Sequence, residues 1–262
     1  MSVPCATVLI KFRRELGEEL MKRLLAGAAS AVIATTGVLT ANVGTANATA
    51  ADWAWPGQEF VVYADGGYMS CSVGYPGTDS AGNRFFITAG HCFRTDSGSH
   101  YVHRDGTALD IYDPARRSTS IGWERMYMPA NDDGYYLDIS LVQMRPGRKL
   151  TGDGWRSIPA VESMSRVGDT ACAVGKNHNR STCGKVTAIG EEMTINGYSW
   201  TSVVNRATYC SYPGDSGGAV YNSSGVLGIV SAGPKDVCND AYVPISLALK
   251  AIRKSIPSFR LY

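Results

Sequence analysis

Cys210-Ser211-Tyr212-Pro213-Gly214-Asp215-Ser216-Gly217-Gly218 sets a serine in a turn rich in glycine, and Ala219-Val220-Tyr221 follows directly. The glycines let the main chain take a tight turn that exposes the Ser216 hydroxyl and aims the N–H groups of Gly214 and Ser216 inward. Outward from this turn the pattern repeats. Asn222-Ser223-Ser224-Gly225 separates Tyr221 from Val226-Leu227-Gly228-Ile229-Val230. Upstream, Phe60-Val61-Val62-Tyr63 precedes Asp65-Gly66-Gly67, Arg84 to Thr88 follows Asp79-Ser80-Ala81-Gly82-Asn83, and Tyr135 to Val142 follows Asn131-Asp132-Asp133-Gly134. Short β-rich runs punctuated this way predict an all-β sandwich or barrel. One helix is expected, an amphipathic C-terminal segment from Pro244 with Ile245, Leu247, Ala248, Ala251 and Ile252 apolar and Lys250, Arg253 and Lys254 polar. The best interior linker is Pro146 to Gly154, giving an expected organisation of leader 1–50, first β unit 51–148 and second β unit with the helix 149–262.

The leader is legible in the charge. Basic residues end at Arg23, none of either sign recurs before Asp52, and the apolar stretch Leu24 to Leu39 leads to the small-residue sequences Ala46-Asn47-Ala48 and Ala48-Thr49-Ala50. That is the plan of a secretory signal peptide, with Met21 a more natural start than Met1. Its later half, rich in Thr, Asn, Gly and Ala, suits removal better than service as a membrane anchor. Five of the 25 basic and three of the 23 acidic residues lie in 1–50, leaving equal numbers beyond. A neutral mature chain gives no reason to expect a nucleic-acid partner. Of seven cysteines, removing the leader takes Cys5 and leaves Cys71, Cys92, Cys172, Cys183, Cys210 and Cys238. An even number in an oxidising compartment predicts bridges, and pairing in chain order closes only local loops, though six cysteines allow fifteen pairings. No C-x-x-C pair is present, and no metal or cofactor is expected.

Three places carry chemistry: Thr88-Ala89-Gly90-His91-Cys92 at the end of an apolar run, Leu137-Asp138-Ile139-Ser140-Leu141 with a carboxylate inside one, and the Ser216 turn. A serine hydroxyl is a weak nucleophile without an adjacent base, and histidine can take its proton and return it. A carboxylate among Leu and Ile is costly to bury unpartnered. Each feature has an ordinary reading: a lone histidine on a surface, a strand aspartate, a hairpin loop. Occurring together in the order His, Asp, Ser, they match the requirements of acyl transfer. Of the other histidines, His100 and His103 lack a third metal ligand and are expected in a solvated loop, as are Asp132 and Asp133 in a polar turn.

On these residues the chain resembles the chymotrypsin-fold serine endopeptidases, and in the Cys-x-x-Pro-Gly-Asp-Ser-Gly-Gly form the bacterial streptogrisin and α-lytic protease branch, over about residues 58–255. The resemblance implies two six-stranded antiparallel β-barrels with the site between them, Ser216 as nucleophile, His91 as general base, Asp138 as its support, and the Gly214 and Ser216 N–H groups as oxyanion hole. It favours the in-order bridges. Val230-Ser231-Ala232-Gly233 resembles the strand that pairs with substrate, with Ser231, Ala232 and Gly233 as binding residues. Thr208 falls near the expected pocket base, neutral where trypsin-like members carry aspartate, and Val230 stands where glutamate-selective relatives carry histidine. The expected preference is therefore for an apolar or aromatic residue before the scissile bond, with Asp236 and Asp240 close enough in sequence to leave a basic one open. The expected protein is a secreted monomer acting on protein or peptide substrates, with no stable membrane association once the leader is removed; the alternative is a catalytically silent binding protein of the same fold. Two departures stand out. No pro-region is expected between leader and first strand. Ala173 stands where the branch often places the arginine that pairs the buried aspartate of the serine turn, so Lys176 or Arg180 is the candidate cation to pair Asp215 in its place.

Overall fold

Side-chain turns set the strand boundaries. Asp79 Oδ1 accepts the N–H groups of Ala81 (3.0 Å) and Asn83 (2.9 Å), and Gly82 takes φ +77°, which closes one hairpin. Asn131 Oδ1 does the same for Asp133 (3.0 Å) and Tyr135 (2.9 Å), with Gly134 at φ +87°. The computed structural model describes residues 51–64, 67–94, 99–103, 106–155, 157–177, 182–195, 201–234 and 237–262. The expected leader 1–50, His178, Arg180 and Asp236 lie outside the described residues.

The first half supplies β1 (Glu59–Ala64), β2 (Gly67–Ser72), β3 (Tyr75–Thr78), β4 (Arg84–Thr88), β5 (Asp110–Asp113), β6 (Arg116–Tyr127) and β7 (Ser140–Met144). The second supplies β8 (Thr170–Val174), β9 (Thr182–Thr194), β10 (Thr201–Ala207), β11 (Ala219–Asn222), β12 (Gly225–Val230), β13 (Asp240–Pro244), the helix α1 (Ile245–Ser255) and β14 (Arg260–Leu261). All named pairings are antiparallel. The second half closes into a six-stranded barrel in the order β10-β13-β12-β11-β8-β9. Its interior is lined by Ala171, Val186, Tyr209, Leu227, Val230 and Tyr242, among others.

The first half departs from the barrel expected of it. It is an eight-stranded sheet, β14-β3-β4-β7-β6-β5-β1-β2, that does not close. The edges a closed barrel would join are used otherwise. β14 takes the free edge of β3 (Leu261 opposite Gly77). The Ser72 N–H crosses to Ser216 O (2.8 Å), so one edge donor serves the serine turn instead of the sheet. Because β14 comes from the C-terminus, residues 149–262 do not all belong to the second unit.

A shared core joins the halves: Phe85, Ile87, Leu137, Ile139 and Leu141 pack with Val226, Ile229 and the buried face of α1. That helix starts after Pro244 as expected, buries Ile245, Ala248, Leu249, Ala251 and Ile252, and carries Arg253 and Lys254 in its last turn, where cations suit the helix dipole. Its Lys250 and Lys254 both pair with Asp132, so the polar turn before Asp138 is tied to the helix, not simply solvated. Disulfides join Cys71–Cys92, Cys172–Cys183 and Cys210–Cys238. Among the described residues no helix is long and apolar enough to cross a membrane.

Candidate active site

His91 lies on a 3-10 turn, Gly90–Phe93, directly after β4, and the Cys71–Cys92 bridge pins that turn to β2. Asp138 sits two residues before β7, which pairs with β4, so ladder register brings the two ends together (Thr88 opposite Ser140). The His91 ring nitrogen Nδ1 is 2.8 Å from Asp138 Oδ2, and the His91 backbone N–H donates to Oδ1 at 2.8 Å. Ser231 Oγ donates to Oδ2 as well, and the Asp138 N–H donates to Ser202 Oγ at 3.1 Å. The carboxylate is wholly buried (0% exposed). Burial alone would raise its pKa, but the charge and hydrogen bond of His91, the Ser231 hydroxyl and the His91 N–H outweigh burial and hold it below the ordinary value. Burial would likewise lower the His91 pKa. The Asp138 charge and hydrogen bond overcome it, and the imidazole is raised above its ordinary value. Ser231, expected to act through the substrate strand, thus has its side chain on the aspartate. No local sequence signal points to that, since 93 residues separate the two.

The serine turn docks against the same corner. Gly217 has φ +83°, and a Cβ there would lie 2.0 Å from Thr88 Oγ1 and 2.7 Å from the Ala89 nitrogen. Only glycine permits that approach. Cys92 Sγ is 4.0 Å from Ser216 O. The segment Thr88–Cys92 and the Ser216–Gly217 peptide are therefore in contact. Ser216 Oγ makes no hydrogen bond to His91; contacts of this kind commonly tighten only when substrate binds. Within the turn the Asp215 N–H donates to Tyr212 O (2.8 Å), Gly217 N–H to Val230 O (2.9 Å) and Gly218 N–H to Asp215 O (2.9 Å). Among the described residues the N–H groups of Gly214 (φ +99°) and Ser216 donate to nothing, which leaves two donors for an anionic oxygen.

Asp215 is buried and accepts from the N–H groups of Asn177 (2.9 Å) and Tyr212 (2.9 Å). Lys176, one of the two expected cationic partners, is instead bonded to Glu59 (3.0 Å) and Ser70 (2.6 Å). Beyond β12, the Ser231 N–H donates to Ala241 O (3.0 Å) and Ala232 O accepts the Ala241 N–H (2.8 Å). Ser231 O and the Gly233 N–H and O have no partner among the described residues, a free strand edge. Thr208 does not fit the expected pocket base: it is exposed, and its hydroxyl accepts the Lys185 N–H (2.9 Å). The buried carboxylate nearest Gly233 is that of Asp240. His100, expected in a solvated loop, has Nε2 2.6 Å from buried Glu124 and stacks on Tyr127. Burial pushes the Glu124 carboxyl up, against the His100 and Ser140 hydrogen bonds that hold it down. Among the described residues no three His, Cys, Asp or Glu side chains gather as a metal site.

Residues 43–252 match the trypsin family model. Serine protease 2 of Streptomyces fradiae is 31% identical over 173 residues, 66% of this chain and 91% of that protein. Streptogrisin-D of Streptomyces griseus is 28% identical over 192 residues, 69% of this chain, which spans only 43% of that longer relative. In fold, Cellulomonas bogoriensis chymotrypsin superposes with a TM-score of 0.56 at 22% identity, covering 80% of this chain and 98% of that one.

Proposed function

The chain belongs to the trypsin family of serine proteases, and on that premise we propose that it is an exported endopeptidase working through Ser216, His91 and Asp138. The observation that carries the assignment of residues is the buried His91–Asp138 pair beside the Ser216 turn. Ser216 Oγ attacks the scissile carbonyl while His91 Nε2 takes its proton. The carbonyl oxygen becomes an oxyanion, which the N–H groups of Gly214 and Ser216 receive. Asp138 keeps the proton on Nδ1, so that Nε2 is free to accept, and stabilises the imidazolium that results. His91 then gives the proton to the leaving amine, and the acyl group stays on Ser216 until a water, deprotonated by the same imidazole, releases it. Ser231 O and the Gly233 main chain supply the edge on which an extended peptide adds as a strand.

The apolar or aromatic preference expected from sequence loses Thr208 as pocket base, since that residue is exposed and turned to the Lys185 N–H; it rests on Val230, which is not the histidine of glutamate-selective relatives, and on the open Gly233, with a basic residue as the alternative. Export with removal of residues 1–50 and action as a monomer remain part of the proposal, checked by N-terminal sequencing of the secreted protein and by light scattering. The test of the chemistry is a fluorophosphonate probe with casein and peptide p-nitroanilides as substrates. Labelling should map to Ser216, and Ser216→Ala should lose both labelling and hydrolysis. An unreactive Ser216 in protein with all three bridges formed would favour a silent binding protein of the same fold.

A further inference from the structure

Ser72 is the last residue of β2 and is wholly buried. Each of its polar groups is engaged at the serine turn or at the segments docked on it. Its N–H donates to Ser216 O (2.8 Å), and its own carbonyl accepts the Thr88 hydroxyl (2.9 Å). Its hydroxyl donates to Gly214 O (2.7 Å) and accepts the Lys176 N–H (2.9 Å). One residue of the first half thus holds the carbonyls of Gly214 and Ser216, the two residues whose N–H groups are left for the oxyanion. Gly214 needs holding. It takes φ +99°, a rotation that glycine leaves as readily as it enters, and among the described residues its only hydrogen bond is the one from Ser72. Lys176 packs on the same glycine. A Cβ built on Gly214 would overlap Lys176 Cε, so the lysine stem fills the space a side chain would take. Its ammonium is anchored on β1 and β2 by Glu59 (3.0 Å) and Ser70 (2.6 Å).

We infer that Ser72 is a positioning residue for the reaction: its hydroxyl, with the Lys176 stem packed on the same glycine, fixes the Gly214 main chain so that the Gly214 N–H stays aimed where the oxyanion forms. The N–H and carbonyl of Gly214 are joined through one Cα, so tying down the carbonyl limits how far the N–H can swing. Donors stabilise a developing charge best when they are aligned before it develops, because no energy is then spent on reorienting them. The Ser72 hydroxyl touches no reacting atom and acts through Gly214. The same stretch of β2 also refers this donor to the base. Cys71, beside Ser72, is bridged to Cys92, beside His91, so oxyanion donor and imidazole are keyed to neighbouring residues of one strand. Alanine at 72 would fill nearly the same volume but leave Gly214 O and the Lys176 N–H without the hydroxyl that serves both.

The inference rests on the proteolytic reading, and the test separates the two. Wild-type enzyme is first labelled with a fluorophosphonate, and enzyme that does not label overturns both. Given labelling, Ser72→Ala should lower kcat on the best p-nitroanilide roughly tenfold to a hundredfold, at or below the cost of deleting an oxyanion donor outright. KM should stay within about threefold, since the contact is realised in the transition state. The peptide of that substrate is then made as a trifluoromethyl ketone and as the matching alcohol. Ser216 Oγ adds to the ketone carbon, its proton passes to His91, and the carbonyl oxygen becomes an anion at the Gly214 and Ser216 N–H groups. The alcohol has no carbonyl to attack and reports binding to the cleft alone. Ser72→Ala should weaken the ketone by the factor seen in kcat and leave the alcohol within about threefold. Equal losses on both, as general loosening of the cleft would give, or a loss on neither, overturn the inference while leaving the proteolytic reading intact. If Ser72→Ala does not fold, Lys176→Ala decides instead: it should weaken the ketone and spare the alcohol, and Lys176→Met, which keeps an unbranched stem beside Gly214, should restore the ketone. Wild-type ketone affinity in Lys176→Ala, or no recovery in Lys176→Met, overturns the inference.

Discussion

Replacing Asp240 by asparagine should change how stability depends on pH, in a direction fixed by the environment of this carboxyl. Burial raises it from 3.8 to about 6; the Ser211 contacts oppose the rise, the Asp215 charge adds to it and Arg206 opposes it. Tyr209, whose hydroxyl also feels the Asp240 charge, has its own pKa pushed well above the ordinary value, so it stays neutral across the range concerned. A carboxyl with a raised folded-state pKa binds its proton more tightly folded than unfolded. Between about pH 4 and pH 6 the folded chain keeps a proton the unfolded chain has lost, so this group makes stability fall as pH rises through that window. Above it the full penalty applies. At 1.36 kcal/mol per unit, the penalty gained between pH 4 and pH 8 is about 2 to 3 kcal/mol. The amide that replaces it does not titrate. In a Ser216→Ala background, which prevents self-digestion, urea unfolding of the Asp240→Asn variant and its parent should be followed at five values from pH 4 to pH 8. The variant should gain stability relative to the parent by about 2 to 3 kcal/mol from the acid to the alkaline end. Taking the difference across pH cancels the His91, Asp138 and Glu124 contributions as well as the constant cost of the amide. Two parallel profiles would refute the reasoning.

Asp138→Asn should lower kcat roughly 10⁴-fold, the size of the same change in the well-studied triad of this family. It should also move the acid limb of the kcat/KM–pH profile to lower pH, because Asp138 raises His91 and activity needs the neutral imidazole. Gly217→Ala puts a methyl group 2.0 Å from Thr88 Oγ1 and 2.6 Å from Ser72 O at a positive φ, so fluorophosphonate labelling of Ser216 should be lost along with roughly 2 kcal/mol or more of stability by urea melts. Replacing Cys71 and Cys92 together by serine opens a loop of 21 residues, and denaturant unfolding should show a loss of about 3 kcal/mol on the chain-entropy scale.

Much of this molecule is legible in its sequence because its signals are local. Strand-turn alternation, the Pro244 start of α1, the in-order bridges favoured by family resemblance and the three segments bearing His91, Asp138 and Ser216 are all short-range patterns. They register one residue type at one spacing, and turn chemistry acts over a few residues. What stays illegible depends on partners far apart in the chain. Closure of the first unit is forestalled by Arg260–Leu261 and by a Ser72 N–H that reaches Ser216 in the other half of the molecule. Asp132 finds its lysines on α1. His100 looks like a loop residue until Glu124 is folded beneath it.

Read as a string, the chain already specifies an all-β, disulfide-bridged protein with a serine, a histidine and an aspartate in the order that acyl transfer uses. Folding alone settles which groups sit on them and beside them: Ser231 on Asp138, Lys185 on Thr208, and Asp240 in the space left by Gly233. Electrostatic neighbours are set by distance through space, and a buried carboxylate depends on them only once the fold has removed its water.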